Sequence, residues 1–184
     1  MQFFYAVRFF ARHLAALVAR IPDSAGRNVL VHNLSEEHGL DEDNPAAGFR
    51  AHLAHDRTMT RFLETLGVDA ARLAAASPQP SVQSFNLALL GACSAESVRF
   101  ALAALGMIEF AFADISAFIG ERVVEFGWVK SEDLVHYSLH AEIDKRHAAE
   151  LFEVAEAAAG NPSDVEQGFR FGRYIFDRLY RDFI

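Results

Sequence analysis

Residues His140–His147 read HAEIDKRH, two imidazoles and a carboxylate at positions i, i+4 and i+7. On a helical wheel of 100° per residue, Asp144 and His147 fall within roughly 40° of His140. Tyr137, Ile143, Leu151 and Val154 share that side, and Glu142, Lys145, Arg146, Ala149, Glu153 and Glu156 occupy the opposite one. The segment is therefore an amphipathic helix whose apolar stripe carries three polar groups. A buried Asp beside two His needs compensation, because an unpaired buried carboxylate costs several kcal/mol. Two readings meet that need. One is a hydrogen-bonded His/Asp pair in an ordinary core. The other is a set of ligands that two adjacent turns present to one metal or a pair, with imidazole and carboxylate suited to iron, manganese or zinc.

Helical periodicity continues outward from this stretch, with no sustained apolar/polar alternation, so the expected fold class is all-α. The expected helices span about 2–21, 25–38 with Gly39 as C-cap, a third that follows the acidic loop 40–45 and ends near Gly67, 68–76, and 81–92 after the linker SPQP. Ser94–Ser97 then starts a long apolar helix to Gly120 or beyond, Ser131 caps the motif helix to about Gly160, and Asn161-Pro162-Ser163 opens the last. With no internal repeat or second linker, residues 1–184 read as one domain, and 52% hydrophobic residues supply its core.

A net charge of −8 argues against nucleic-acid or anionic-membrane partners, which select clustered Lys and Arg. Cys93, the single cysteine, makes no internal disulfide and fits a reducing cytoplasm. Arg8, Arg12 and His13 interrupt the apolar opening, which reads as a buried-face helix rather than a signal peptide. Residues 101–120 have the length of a membrane span, but Glu109 and Asp114 near the middle favour a core helix. Gly168-Phe-Arg-Phe-Gly172 is a small-xxx-small pair that close helix packing explains.

A metal needs further ligands from other helices. Glu109 sits among Leu102, Leu105, Met107, Ile108, Phe110 and Phe112, with a salt bridge to Arg99 or Arg12 as the alternative to ligation. Glu37 shares a face with Val29, Leu30, Asn33 and Leu34, although so near a helix end it also reads as a solvated acid; its neighbour Glu36 points about 100° away.

Ordered this way, the motifs resemble the haem-oxygenase-like di-iron oxidases and oxygenases, also described as iron-containing redox enzymes. That family carries a Glu followed seven residues on by His, then an isolated Glu, then His-x3-Asp-x2-His. HAEIDKRHA matches the last element, GMIEFAFADIS resembles the segment around the isolated Glu with Glu109 in place, and NLSEEHGLDEDNP resembles the first with Glu37 in place. The resemblance implies a haem-oxygenase-like multi-helical bundle and two Fe(II) ions held by Glu37, Glu109, His140, Asp144 and His147. It also implies O2 and a small organic substrate, such as an amino-acid or fatty-acid derivative, as partners. Asn44-Pro45 stands where the family has His-Pro, so Asn44 is a possible site residue, and one metal position is weak, empty, or completed by water or by His38, His52 or His55.

The chain begins at what resembles the family's second helix. A surplus of apolar residues on it, Phe3, Phe4, Phe10, Leu14 and Val18, leads to the expectation of a homodimer. Tyr137, Phe110 and Phe112 lie within a turn of candidate ligands, where they could line a substrate pocket; Tyr137 is also a possible hydrogen-bond or electron donor. Two rival functions remain: a non-catalytic interaction protein with a degenerate metal site, and a metal-free enzyme resembling the thiaminase-type or pyrroloquinoline-quinone synthase branches, in which Cys93 could act as nucleophile.

Overall fold

Short polar side chains start three of the helices. Asp23 accepts a hydrogen bond from the Gly26 N–H at 2.8 Å, Asp69 from Arg72 at 2.7 Å and Ser97 from Phe100 at 3.2 Å. Each satisfies a donor that the first helical turn leaves open. The structure, a computed structural model, describes residues 1–41 and 44–183. Among the described residues there are eight α-helices and no strand: α1 (Phe3–Val18), α2 (Ser24–Glu37), α3 (His55–Thr65), α4 (Ala70–Ala75), α5 (Pro80–Ala95), α6 (Val98–Glu125), α7 (Val135–Ala157) and α8 (Ser163–Arg181). The fold is the all-α multi-helical bundle expected from the sequence.

The long apolar helix is the centre of the bundle. Residues 101–109 of α6 are buried without interruption, as a helix that is apolar all round must be, and α7 and α8 pack along it. By length and composition α6 could cross a membrane, but its apolar residues form the bundle core while Asp114 faces outward. The approach of α8 is set by Gly168 and Gly172. A Cβ at Gly168 would stand 2.1 Å from the Phe100 carbonyl oxygen, and one at Gly172 would stand 2.4 Å from that of Ala104. Close helix packing therefore does account for this small-residue pair.

Two boundaries differ from expectation, and one of them decides the site. The third helix begins at His55; residues 44–54 instead form two short 3-10 turns and an isolated bridge between Leu40 and Phe49. The cause is Gly39. It ends α2 with φ +92°, and the Arg50 N–H donates to its carbonyl at 2.8 Å. A Cβ there would lie 2.3 Å from the Arg50 oxygen, so only glycine lets residues 50–54 fold back against the end of α2. The motif helix starts at Val135 rather than Ser131, after a 3-10 turn at Ser131–Asp133. On α1, Phe4 and Leu14 are buried and Phe3, Phe10 and Val18 are half-buried against the core.

Candidate metal centre

Four helices bring acid and imidazole to one buried region. α7 presents His140, Asp144 and His147 from one face, α6 contributes Glu109, the last turn of α2 gives Glu36 and Glu37, and the first residue of α3 is His55. All are inside: Asp144 is 0% exposed, His147 1%, His55 2% and Glu109 3%.

Carboxylate and imidazole atoms of Glu109, Asp144 and His147 lie within 4.8 Å of one another. His147 Nδ1 is 3.9 Å from Glu109 Oε1 and 3.8 Å from Asp144 Oδ1. Its other nitrogen, Nε2, donates to Glu36 Oε2 at 2.9 Å, and the guanidinium of Arg146 meets the second Glu36 oxygen at 2.6 Å. A carboxylate only accepts, so Nε2 carries a proton. Burial opposes a charge on this imidazole, but Glu36, Glu109 and Asp144 outweigh it and raise its pKa, and Nδ1 makes no hydrogen bond among the described residues. His140 Nδ1 shares a hydrogen bond with Asp144 Oδ1 at 2.8 Å, and its Nε2 makes none among the described residues. His55 Nδ1 and Glu37 Oε1 form a buried ion pair at 2.9 Å, in which burial opposes a charge on the imidazole but the carboxylate outweighs it and raises the pKa of His55. Its ring packs edge-on to that of His140, with centroids 4.5 Å apart.

His55 Nδ1, Glu109 Oε1, His140 Nε2, Asp144 Oδ2 and His147 Nδ1 are buried with no hydrogen-bonding partner among the described residues. Native cores leave few such atoms, and here they gather in one place. A cation among Glu109, Asp144 and His147 would satisfy three of them, and the mixed imidazole and carboxylate set suits iron, manganese or zinc. The residues present therefore fit the metal centre that the resemblance implies.

The electrostatics agree. Burial, reinforced by the charges of neighbouring acids, raises the carboxyls of Glu109 and Asp144 well above the usual range. Burial and the adjacent imidazoles push His140 well below its usual value. Burial opposes a charge on Glu36 too, but His147 and Arg146 outweigh it and hold the carboxyl at about 2. On Glu37 the charge of His55 likewise outweighs burial and lowers the carboxyl. Acids crowded together in a dry core resist ionisation until a cation offsets their charge.

Glu37, Glu109, His140, Asp144 and His147 are thus brought together. Asn44 is not with them: it is exposed, as are His38 and His52, whereas His55 is buried against Glu37. The seven-residue spacing on one helix fails because Gly39 stops α2, and the imidazole arrives from the next helix. Tyr137 is buried against Phe62 and Phe112 as a core aromatic, with centroids at 4.8 and 6.3 Å. Sequence reasoning undervalued Glu36, whose inward turn needed Arg146 as a partner, and it missed His136, although His-x3-His is written in the sequence. A cavity of about 40 Å³ opens beside the cluster, with Glu37, His55, Glu109 and His140 on one side and Phe10 and Phe112 on the other.

A family model described as iron-containing redox enzyme matches residues 1–180. Three chlamydial proteins named 4-aminobenzoate synthase are similar to this chain. The protein of Chlamydia muridarum is 26% identical over 89% of this chain and 65% of its own length, and that of Chlamydia trachomatis is 27% identical over 89% and 66%. That of Chlamydia pneumoniae is 24% identical over 97% and 75%. The chain thus spans slightly less than two thirds of the length of the first two relatives.

Proposed function

The chain belongs to the family of iron-containing redox enzymes, and from that premise we propose that it is a non-haem di-iron oxidase or oxygenase that uses O2 to oxidise a small organic substrate. The observation that carries the reading is the gathering of four buried ligand atoms that make no hydrogen bond, Glu109 Oε1, His140 Nε2, Asp144 Oδ2 and His147 Nδ1, on α6 and α7, beside the buried His55–Glu37 ion pair. In this reading His55, His140 and Glu37 would hold one ion, and Glu109, Asp144 and His147 would hold the other. Glu36 touches neither ion. It fixes the tautomer and direction of His147, the role that an outer carboxylate plays for a ligating imidazole.

Bound iron would supply the redox chemistry toward O2 that no side chain here offers. The chain's own part is to hold the ligands in place and keep bulk water out. A cavity of about 40 Å³ takes O2 or a water, so an organic substrate needs displacement of the aromatic wall at Phe10 and Phe112. That wall favours an apolar or aromatic body, the amino-acid and fatty-acid derivatives among them, and the relatives' name, 4-aminobenzoate synthase, points to a small aromatic product. Cys93 is buried, with its thiol pushed up to about 12 by burial, so it serves neither as a nucleophile nor as a disulfide partner, and a reducing cytoplasm suits it.

Metal-free protein titrated anaerobically with Fe(II) should bind two ions per chain and then consume O2 faster than the same Fe(II) free in buffer. Glu109→Ala should abolish both. Folded wild-type protein that binds no Fe(II) would overturn the metal reading, and binding without O2 uptake would favour the non-catalytic alternative.

A further inference from the structure

We propose that His136 is a further ligand of this centre, a third imidazole beside those of His55 and His140; the inference rests on the metal reading above. His136 is 0% exposed and stands four residues before His140 on α7. That spacing sets two side chains on one helix face, from which both can reach one ion. The two rings meet edge-on with centroids 4.4 Å apart, and His55 approaches His140 at 4.5 Å. With a metal–nitrogen distance of about 2.1 Å, two imidazoles at a right angle on one ion have centroids about 4.5 Å apart. Both ring pairs already have that separation.

The tautomer of His136 follows from one hydroxyl. Thr58 Oγ1 donates its single proton to the His55 carbonyl at 3.0 Å, and it lies 2.9 Å from His136 Nδ1. Toward that nitrogen it can only accept, so Nδ1 carries the ring proton and Nε2 keeps a lone pair. Nε2 is buried and has no partner among the described residues. This is the pattern already seen at His147, where an oxygen fixes one nitrogen and the other is left bare. The same Thr58 hydroxyl ties His136 to the backbone of His55, so two imidazoles are oriented together.

A third imidazole makes the two positions unlike. The end near His55, His136 and His140 is nitrogen-rich, while the end at Glu109 and Asp144 is oxygen-rich. Imidazole sites favour the later first-row metals and carboxylate sites the harder ones, so the two ions should bind with separate affinities and separate spectra.

Titration of metal-free protein with Co(II), followed by visible d–d absorption and by competition with a chelator, tests this without turnover. Wild type should bind two Co(II) ions. His136→Phe keeps a packed ring but offers no lone pair. It should weaken one ion roughly 10–100-fold and shift its bands, while the other ion is unchanged and far-UV circular dichroism is preserved. Thr58→Val, which frees the ring tautomer, should weaken the same ion by less. If His136→Phe does not fold, His136→Gln is read the same way. Unchanged affinities and bands in either folded His136 variant would overturn the role of His136 and leave the metal centre standing. A wild type that binds no Co(II) would overturn both.

Discussion

His13 offers a prediction whose size follows from the structure. It is fully buried on α1 between Phe9 and Phe10, and its Nε2 donates to the Asn86 carbonyl at 3.1 Å. Nδ1 makes no hydrogen bond among the described residues, so a second ring proton would be added to a dry site with only a weak pull from the Phe10 backbone to offset its desolvation. Burial therefore lowers this imidazole from 6.5 to about 4, against weaker upward pulls from the Asn86 carbonyl and the Glu37 charge. The sign is that of a native state that refuses a proton. Above about pH 6.5 the ring is neutral in both states; between 6.5 and 4 the unfolded chain takes the proton and the folded one does not. Stability thus rises with pH across this window and is flat above it. The full difference is about 3 kcal/mol, of which about 2 kcal/mol falls between pH 7 and pH 5. His13→Gln keeps a donor for the Asn86 carbonyl and cannot titrate. Denaturant unfolding of the metal-free proteins at both pH values should show wild type losing about 2 kcal/mol more than the variant. Every other buried group titrates in both proteins and cancels. Equal losses would refute the claim that His13 is held neutral by burial.

Four further outcomes are expected. Gly39→Ala, with φ +92° and a Cβ 2.3 Å from the Arg50 oxygen, should destabilise by about 1–3 kcal/mol and weaken Fe(II) binding by displacing His55; unchanged iron affinity would show that His55 is held by other means. Glu36→Gln should lower Fe(II) affinity roughly 10–100-fold with stoichiometry unchanged, measured by competition with a chelator. Asn44→His should leave iron stoichiometry where it was, because residue 44 is exposed, and a gain of iron would contradict the assignment of His55. Gly172→Val should drive α8 off the Ala104 backbone and lose at least about 1–3 kcal/mol, read as a lower Tm.

The sequence carries the all-α class and the α7 face plainly, because periodicity and burial are local properties of one helix. Glu109 was also legible, since an acid surrounded by Leu, Ile and Phe has no solvated side to occupy. His55 was not. Its partnership with Glu37 crosses a chain reversal whose length depends on Gly39, and a motif read at fixed spacing assumes that the helix runs on. Glu36 was hidden for a related reason: a wheel places it to the side of α2, and only the position of Arg146 and His147 on α7 makes that side an interior one. Tyr137 was placed correctly inside, but on the aromatic packing of Phe62 and Phe112 rather than among the ligand atoms.

The reversal at Gly39 also makes the centre unequally fastened. Glu109, His140, Asp144 and His147 are carried on α6 and α7, which lie along each other for most of their length, with α8 seated on the backbone of α6 through two glycines. His55 hangs from a clasp whose closure depends on the Arg50 N–H bonding the Gly39 carbonyl. Opening that clasp unseats one imidazole and leaves the helical frame intact, whereas uncovering a ligand on α6 or α7 requires long helices to part. The smallest rearrangement that admits or releases an ion is therefore a hinge at the end of α2, and amides of residues 50–55 should exchange with solvent well before those of α6 and α7, with metal narrowing the gap.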